Sequence, residues 1–203
     1  MLSEIEKYLP KYLSQDQQAQ LFAELDQFPD NIHKRLYSSQ RDADLLIFQG
    51  DGIASLPFTE FPTLEVRNVK VMIVSNTCDI QPNNERRFPA CIVYCPLIRF
   101  NAYRELLLKA QPKQIDRIEE HLASVQRQEC SSMFYLPAGL RLAEDSIALL
   151  DRLAHHQVNS LKFDDLVRDR LFTLSDYGFY LFLFKISIHF TRMRDAVVRG
   201  YSD

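Results

Sequence analysis

Glycine is scarce in this chain of 203 residues, with five in all, and tryptophan is missing altogether. So little glycine excludes collagen-like and linker-like composition, while 46% hydrophobic and 11% aromatic residues are what a packed core requires. Neither sign of charge dominates. Twenty-four Lys and Arg against 27 Asp and Glu leave a net charge of -3, which excludes a strongly basic nucleic-acid coat and argues against an anionic-membrane binder. A local basic groove is compatible with that total, because net charge is silent on where the charges sit. Long hydrophobic runs are lacking too. The most apolar stretch, residues 179–184, is closed by Lys185 and falls far short of the roughly 20 residues that cross a bilayer. The amino terminus, MLSEIEKYLPKYLSQDQQ, carries charges throughout and has no apolar segment of the signal-peptide kind.

Cysteines number four: Cys78, Cys91, Cys95 and Cys130. With no export signal they read as reduced thiols, and the expected compartment is the cytoplasm. No C-x-x-C pair occurs, and His33, His121, His155, His156 and His189 do not cluster with the cysteines along the chain. Neither a metal nor a cofactor is therefore expected. Cys91 and Cys95 read as small buried hydrophobes. G-x-x-x-x-G-K, G-x-G-x-x-G and G-x-S-x-G are all missing, which leaves nucleotide-binding and serine-hydrolase readings without support.

What is present begins with helix. Ser14 and Gln17 have capping-box spacing, Leu21, Phe22, Leu25 and Phe28 recur at helical intervals, and Pro29-Asp30-Asn31 ends the run. From residue 45 to 100 the pattern becomes short apolar runs between Gly, Pro and Asn. Residues 45–48, 70–74 and 90–97 are the clearest strands, and the continuous runs VMIV and ACIVY predict strands buried on both faces. Residues 101–128 return to helix: Ile115, Ile118, Leu122 and Val125 form a seam, with Pro112 placed in the first turn. Strand signals resume at 133–136 and 147–150. The tail is double-natured. Residues 185–190 alternate like a strand, but Phe179, Leu183, Ile186, Phe190, Met193 and Val197 step by four and three, which predicts a terminal helix. Leu181, Phe182 and Ile188 make it apolar on other sides as well, so it is either wrapped by the domain or buried in a dimer seam.

Two segments hold candidate chemistry. Cys78 follows a strand within Ser75-Asn76-Thr77-Cys78-Asp79, a polar run where strand ends commonly build sites. The thiol is a nucleophile if a histidine lowers its pKa, whereas Asp79 beside it acts in the opposite sense. Asn and Asp are equally residues of a plain turn. His155-His156 suit acid–base work near neutral pH, although neighbouring residues rarely point into one site.

Read in order, Gly50-Asp51-Gly52-Ile53, Leu56-Pro57-Phe58, Val71-Met72-Ile73-Val74-Ser75-Asn76 and Ala90-Cys91-Ile92-Val93-Tyr94-Cys95-Pro96-Leu97 resemble the PemK/MazF family of bacterial toxins. LRLAEDSIALLDRL, residues 140–153, is similar to the segment where that family's sheet resumes. The likeness covers about half of the chain. It implies an α+β fold: a small, strongly bent antiparallel β-barrel of the Src-homology-3-like and CcdB-related kind. The expected layout is one domain with a helical extension over 1–40, barrel over 45–100 and 131–165, a helical insertion over 101–130 and a terminal helix over 175–199.

The resemblance also implies metal-independent cleavage of single-stranded RNA through 2′-hydroxyl attack, which needs a base, a cation for the phosphorane charge and an acid. The family places an Arg-Pro pair before the VMIV-like strand and a Thr or Ser after the Pro-Leu-like segment. Here Arg67, Asn68, Val69 and Lys70 stand at the first position, and Ile98 and Arg99 follow Pro96-Leu97 at the second. Two functions follow. One is a ribonuclease with catalytic groups rearranged around Arg67, Arg99, Thr77 and Cys78, and with Lys70, Ser75, Asn76 and Asp79 lining the substrate. The other, favoured by those departures, is a non-catalytic module binding RNA or an antitoxin-like protein partner in a toxin–antitoxin or phage-defence setting. A homodimer and no membrane association are expected.

Overall fold

The computed structural model describes residues 14–40, 45–60, 62–81, 84 and 87–191. Helix α1 (Gln15–Leu25) and the single turn α2 (Ile32–Arg35) lead into a hairpin of β1 (Gly52–Glu60) and β2 (Glu65–Ile73). A short helix, α3 (Thr77–Ile80), precedes the long strand β3 (Cys91–Arg99). Helices α4 (Phe100–Ala110) and α5 (Ile115–Gln126) form an antiparallel pair before β4 (Met133–Leu136), β5 (Ser146–Leu149) and β6 (Ala154–Gln157). The chain then runs through α6 (Phe163–Arg168), β7 (Arg170–Phe172) and α7 (Asp176–Thr191).

The result is a mixed α+β fold around one seven-stranded antiparallel sheet, ordered β4-β5-β3-β2-β1-β7, with β6 also paired to β3. Alternate residues of β2 serve different cores, as a strand's two-residue period requires. Val71 and Ile73 join Ile53, Ile92, Tyr94 and Leu166 in one cluster, while Met72 joins Cys95, Ile147, Phe172 and Phe182 in the other. The VMIV run is thus buried on both faces, as its composition predicts. A third cluster seats α1 on α7 through Leu21, Tyr177 and Tyr180.

The expectation of a barrel meets an open sheet: among the described residues no pairing joins β4 to β7. Both outer edges are occupied by other groups. On β4 the side chain of Gln128 donates to the carbonyl of Tyr135 (2.7 Å) and accepts from its N–H (3.1 Å), in place of a neighbouring strand. On β7 the N–H of Arg141 donates to Leu171 O, and its guanidinium donates to the carbonyls of Arg168 and Arg170. Edge groups satisfied in this way have no call for closure.

Several local expectations are revised. Residues 45–48 form no strand. Ile47 is fully buried, but most of this segment's bonded polar atoms go to side chains: Gln81 donates to Ile47 O, Arg170 donates to Leu46 O, and Phe48 N–H donates to Asp51, while Phe48 O accepts from the Asp51 N–H. Gly50 turns the chain here at φ +90, which favours glycine. Pro112 precedes α5 rather than sitting in its first turn, and Ile115 is 54% exposed, so the buried seam is Ile118, Leu122 and Val125. Cys91 is exposed although Cys95 is wholly buried. Along α7 the buried residues are Tyr177, Gly178, Tyr180, Phe182 and Lys185, not the four-three stripe, because the helix packs on the main core along one side and on α1 along another. Met193 and Val197 lie outside the described residues. No described helix is long and apolar enough to cross a membrane.

Candidate functional site

The candidate residues fall into two groups at opposite ends of β2. Arg67 is exposed near its start and Lys70 past its middle, and Arg99 ends β3 on the side of Arg67. Ser75, Asn76, Thr77, Cys78 and Asp79 follow its end. Six strand steps separate Arg67 from Ile73, roughly 20 Å at about 3.3 Å each. The two groups therefore do not act on one atom.

Most members also have local employment. Arg67 Nη2 lies 2.5 Å from Glu60 Oε2, and Arg99 Nη1 lies 3.7 Å from Glu144 Oε1. Ser75 Oγ accepts from Val93 N–H at 2.7 Å, which ties the end of β2 to β3. Asn76 caps α3 by accepting from Cys78 N–H at 2.9 Å, and Thr77 Oγ1 accepts from Gln49 N–H at 3.0 Å. Cys78 and Asp79 are exposed on that short helix, with Ile80 anchored in the core beneath them. The polar run is chiefly a clasp.

A different place collects functional groups. β5 and β6 are one strand interrupted along the same edge of β3. From Leu97 to Tyr94 β3 takes three steps, whereas its partner takes six, from Ala148 to Ala154. The three surplus residues bulge out as Asp151, Arg152 and Leu153, next to Pro96, which has no N–H to offer a partner. The bulge faces the end of the β1–β2 hairpin, and an open groove of about 940 Å³ lies between them. Pro57, Phe58, Thr59, Glu60 and Val66 form the hairpin wall. Asp151, Arg152, Leu153, Ala154, His155 and His156 form the other. Tyr94 is the floor; it is 1% exposed and its hydroxyl donates to Pro57 O, with burial pushing its pKa up.

The groove is mixed in chemistry. Val66 and Leu153 remain 67% and 41% exposed, and Leu64 beside them is 63% exposed. Among the polar groups, His156 Nδ1 is 2.9 Å from Ser160 Oγ, which holds its ring, while His155 is exposed on the strand. Arg67 is not part of the lining, but it pairs with Glu60, which is. Sequence reasoning singled out the two histidines but missed the hairpin wall. The available signal was Pro96, since a proline inside a strand marks a break in pairing.

No protein-family model matches the chain, and no curated protein sequence matches it.

Proposed function

We propose that the protein is a non-catalytic binding module, a divergent PemK/MazF-like barrel opened at one seam, whose groove holds an extended apolar segment of a protein partner. The observation that carries this reading is the groove itself: Val66 and Leu153 stand uncovered on its two walls, with Phe58 half-buried beside Val66 on the hairpin wall. An extended segment suits it because the walls are strand and bulge, which address alternate side chains. The split of Arg67 and Arg99 from Thr77 and Cys78 supports a module without turnover, since acid, base and cation must meet within hydrogen-bond reach of one substrate. Charge supports a protein over RNA: Glu60 neutralises Arg67, and Asp151 accompanies Arg152. The setting is the cytoplasm of a bacterium, in toxin–antitoxin or phage defence. The exposed Phe184, Ile188 and Phe190 of α7 are the surface on which a homodimer would form.

One observation favours a second reading, metal-independent cleavage of single-stranded RNA. His155, His156 and Arg152 line a single groove, and two imidazoles with a guanidinium suit 2′-hydroxyl attack. One experiment separates the two. The protein and its Phe58→Asp and His155→Ala variants are screened against a library of displayed peptides and, separately, incubated with long single-stranded RNA and chelator. Apolar-alternating peptides enriched by the wild type and lost with Phe58→Asp, with RNA intact, support the module. New RNA ends lost with His155→Ala replace it by the ribonuclease. Neither enrichment nor cleavage removes both.

A further inference from the structure

Away from the groove, four side chains converge where the helical insertion returns to the sheet. Cys130 lies half-buried between α5 and β4. Its Sγ is 3.9 Å from Nδ1 of His121 and 3.4 Å from Oγ of Ser124. The other ring nitrogen of His121, Nε2, is 2.9 Å from the hydroxyl oxygen of Tyr103 on α4. A proton on Nε2, donated to Tyr103, leaves the lone pair of Nδ1 facing the thiol. Lys185 of α7 lies beside the four. It is 5% exposed, donates to Gln128 O, and lies close enough that a charge on Cys130 bears on its own ionisation. Thiol, base, orienting hydroxyl and buried cation are the parts of an activated cysteine. Cys78 and Cys91, though more exposed, have no histidine ring in hydrogen-bond contact among the described residues.

We propose that Cys130 is a peroxide-reactive thiol, with His121 as its base and Tyr103 as the positioning residue. The substrate class follows from access. Cys130 lines neither the groove nor the 420 Å³ cleft at the turn end of the α4–α5 pair, which of these side chains only His121 reaches. Neither of those spaces offers a bulky substrate a seat beside the sulfur, whereas a hydroperoxide needs little more than room for two oxygen atoms. In the step, the thiol proton passes to Nδ1 of His121 and the sulfur attacks the nearer peroxide oxygen. The O–O bond breaks, and the leaving oxygen takes the proton from His121. Sulfur gives up two electrons, the peroxide gains them, and the products are the sulfenic acid and one water or alcohol. Glu129, Asp151 and Arg152 are the other charges bearing on the cluster, and Arg127 holds Glu129 at 2.7 Å.

The test uses the reduced full chain, hydrogen peroxide near stoichiometric amounts, and a dione trap for sulfenic acid read by peptide mass. Cys130 is expected to trap first, about tenfold faster than Cys78 or Cys91, with reversal by added dithiol. His121→Gln, which keeps a hydrogen bond to Tyr103 but takes no proton, is expected to slow trapping about tenfold and to steepen its rise with pH. Cys78 or Cys91 reacting as fast as Cys130 overturns the proposal, as does a folded His121→Gln protein with unchanged rate. Should that variant fail to fold by circular dichroism, Tyr103→Phe decides: a several-fold loss supports the proposal, and an unchanged rate sinks it.

Discussion

The carboxylate of Asp51 meets the guanidinium of Arg170 at 3.2 Å, with the two side chains 0% and 5% exposed. The pair locks the turn before β1 onto β7. Asp51 Oδ2 also accepts from Phe48 N–H, and the guanidinium carbon sits 5.8 Å from the centre of the Phe48 ring. Arg170→Met would strand a buried carboxylate and is expected to cost about 3–5 kcal/mol in urea unfolding. Adding Asp51→Asn should recover part of that loss, because the uncompensated charge goes with it. A single variant within about 1 kcal/mol of the parent would contradict this account.

The exposed arginines behave differently. Arg67 and Arg99 are each 62% exposed, and their partners Glu60 and Glu144 are 42% and 51% exposed. Arg67→Ala and Arg99→Ala are expected to change stability by about 0.5 kcal/mol or less, which salt screening masks further. Asn76→Ala, by contrast, removes the α3 cap and is expected to cost about 1 kcal/mol. Chemical denaturation of the three side by side ranks clasp above surface.

Gly178 marks a close approach of α7 to the rest of the chain. A Cβ there would stand 2.2 Å from Leu36 O, a backbone atom that also accepts from Ser175 N–H. Gly178→Ala must push the helix away and is expected to cost about 1–3 kcal/mol, despite alanine's higher helix propensity. A thermal midpoint at or above the parent's would show that α7 has slack.

Lys185 supplies a pH signature. Burial lowers its pKa from 10.5 to about 8, against the pull of Cys130 and Glu129. Below pH 8 both folded and unfolded chains hold the proton, so the buried charge weighs fully against folding. Above it the unfolded chain binds more protons, and stability rises with pH. Cys95 acts in the reverse sense: burial pushes its thiol up to about 12, so its contribution is lost from its unfolded value near 9 upward. The difference between the parent and Lys185→Met isolates the lysine. That difference in melting temperature should shrink from pH 7 to pH 9; a constant gap would refute the assignment.

Local pattern was sufficient for much of the secondary structure. The apolar stripe around Leu21 is helical, the VMIV run is a strand with two buried faces, and residues within 101–128 form two helices. Each of these rests on contacts between near neighbours, whose period is written in the chain. Residues 45–48 read as strand because they are apolar, yet apolarity records burial and not the partner of the backbone. That partner proved to be a set of side chains from Asp51, Gln81 and Arg170.

Composition and periodicity by themselves determined the α+β class, the mixed charge and the places of α1, α4, α5, α7, β3, β4 and β5. Only the tertiary structure decided that Arg67 and Cys78 lie at opposite ends of one strand, that Cys91 faces water while Cys95 does not, and that a bulge beside Pro96 meets the β1–β2 hairpin across a groove. It alone brought Tyr103, His121 and Cys130 together. The reason is register. Helical and strand periods arise from bonds a few residues long, whereas strand pairing and helix docking join distant segments whose alignment no local repeat encodes.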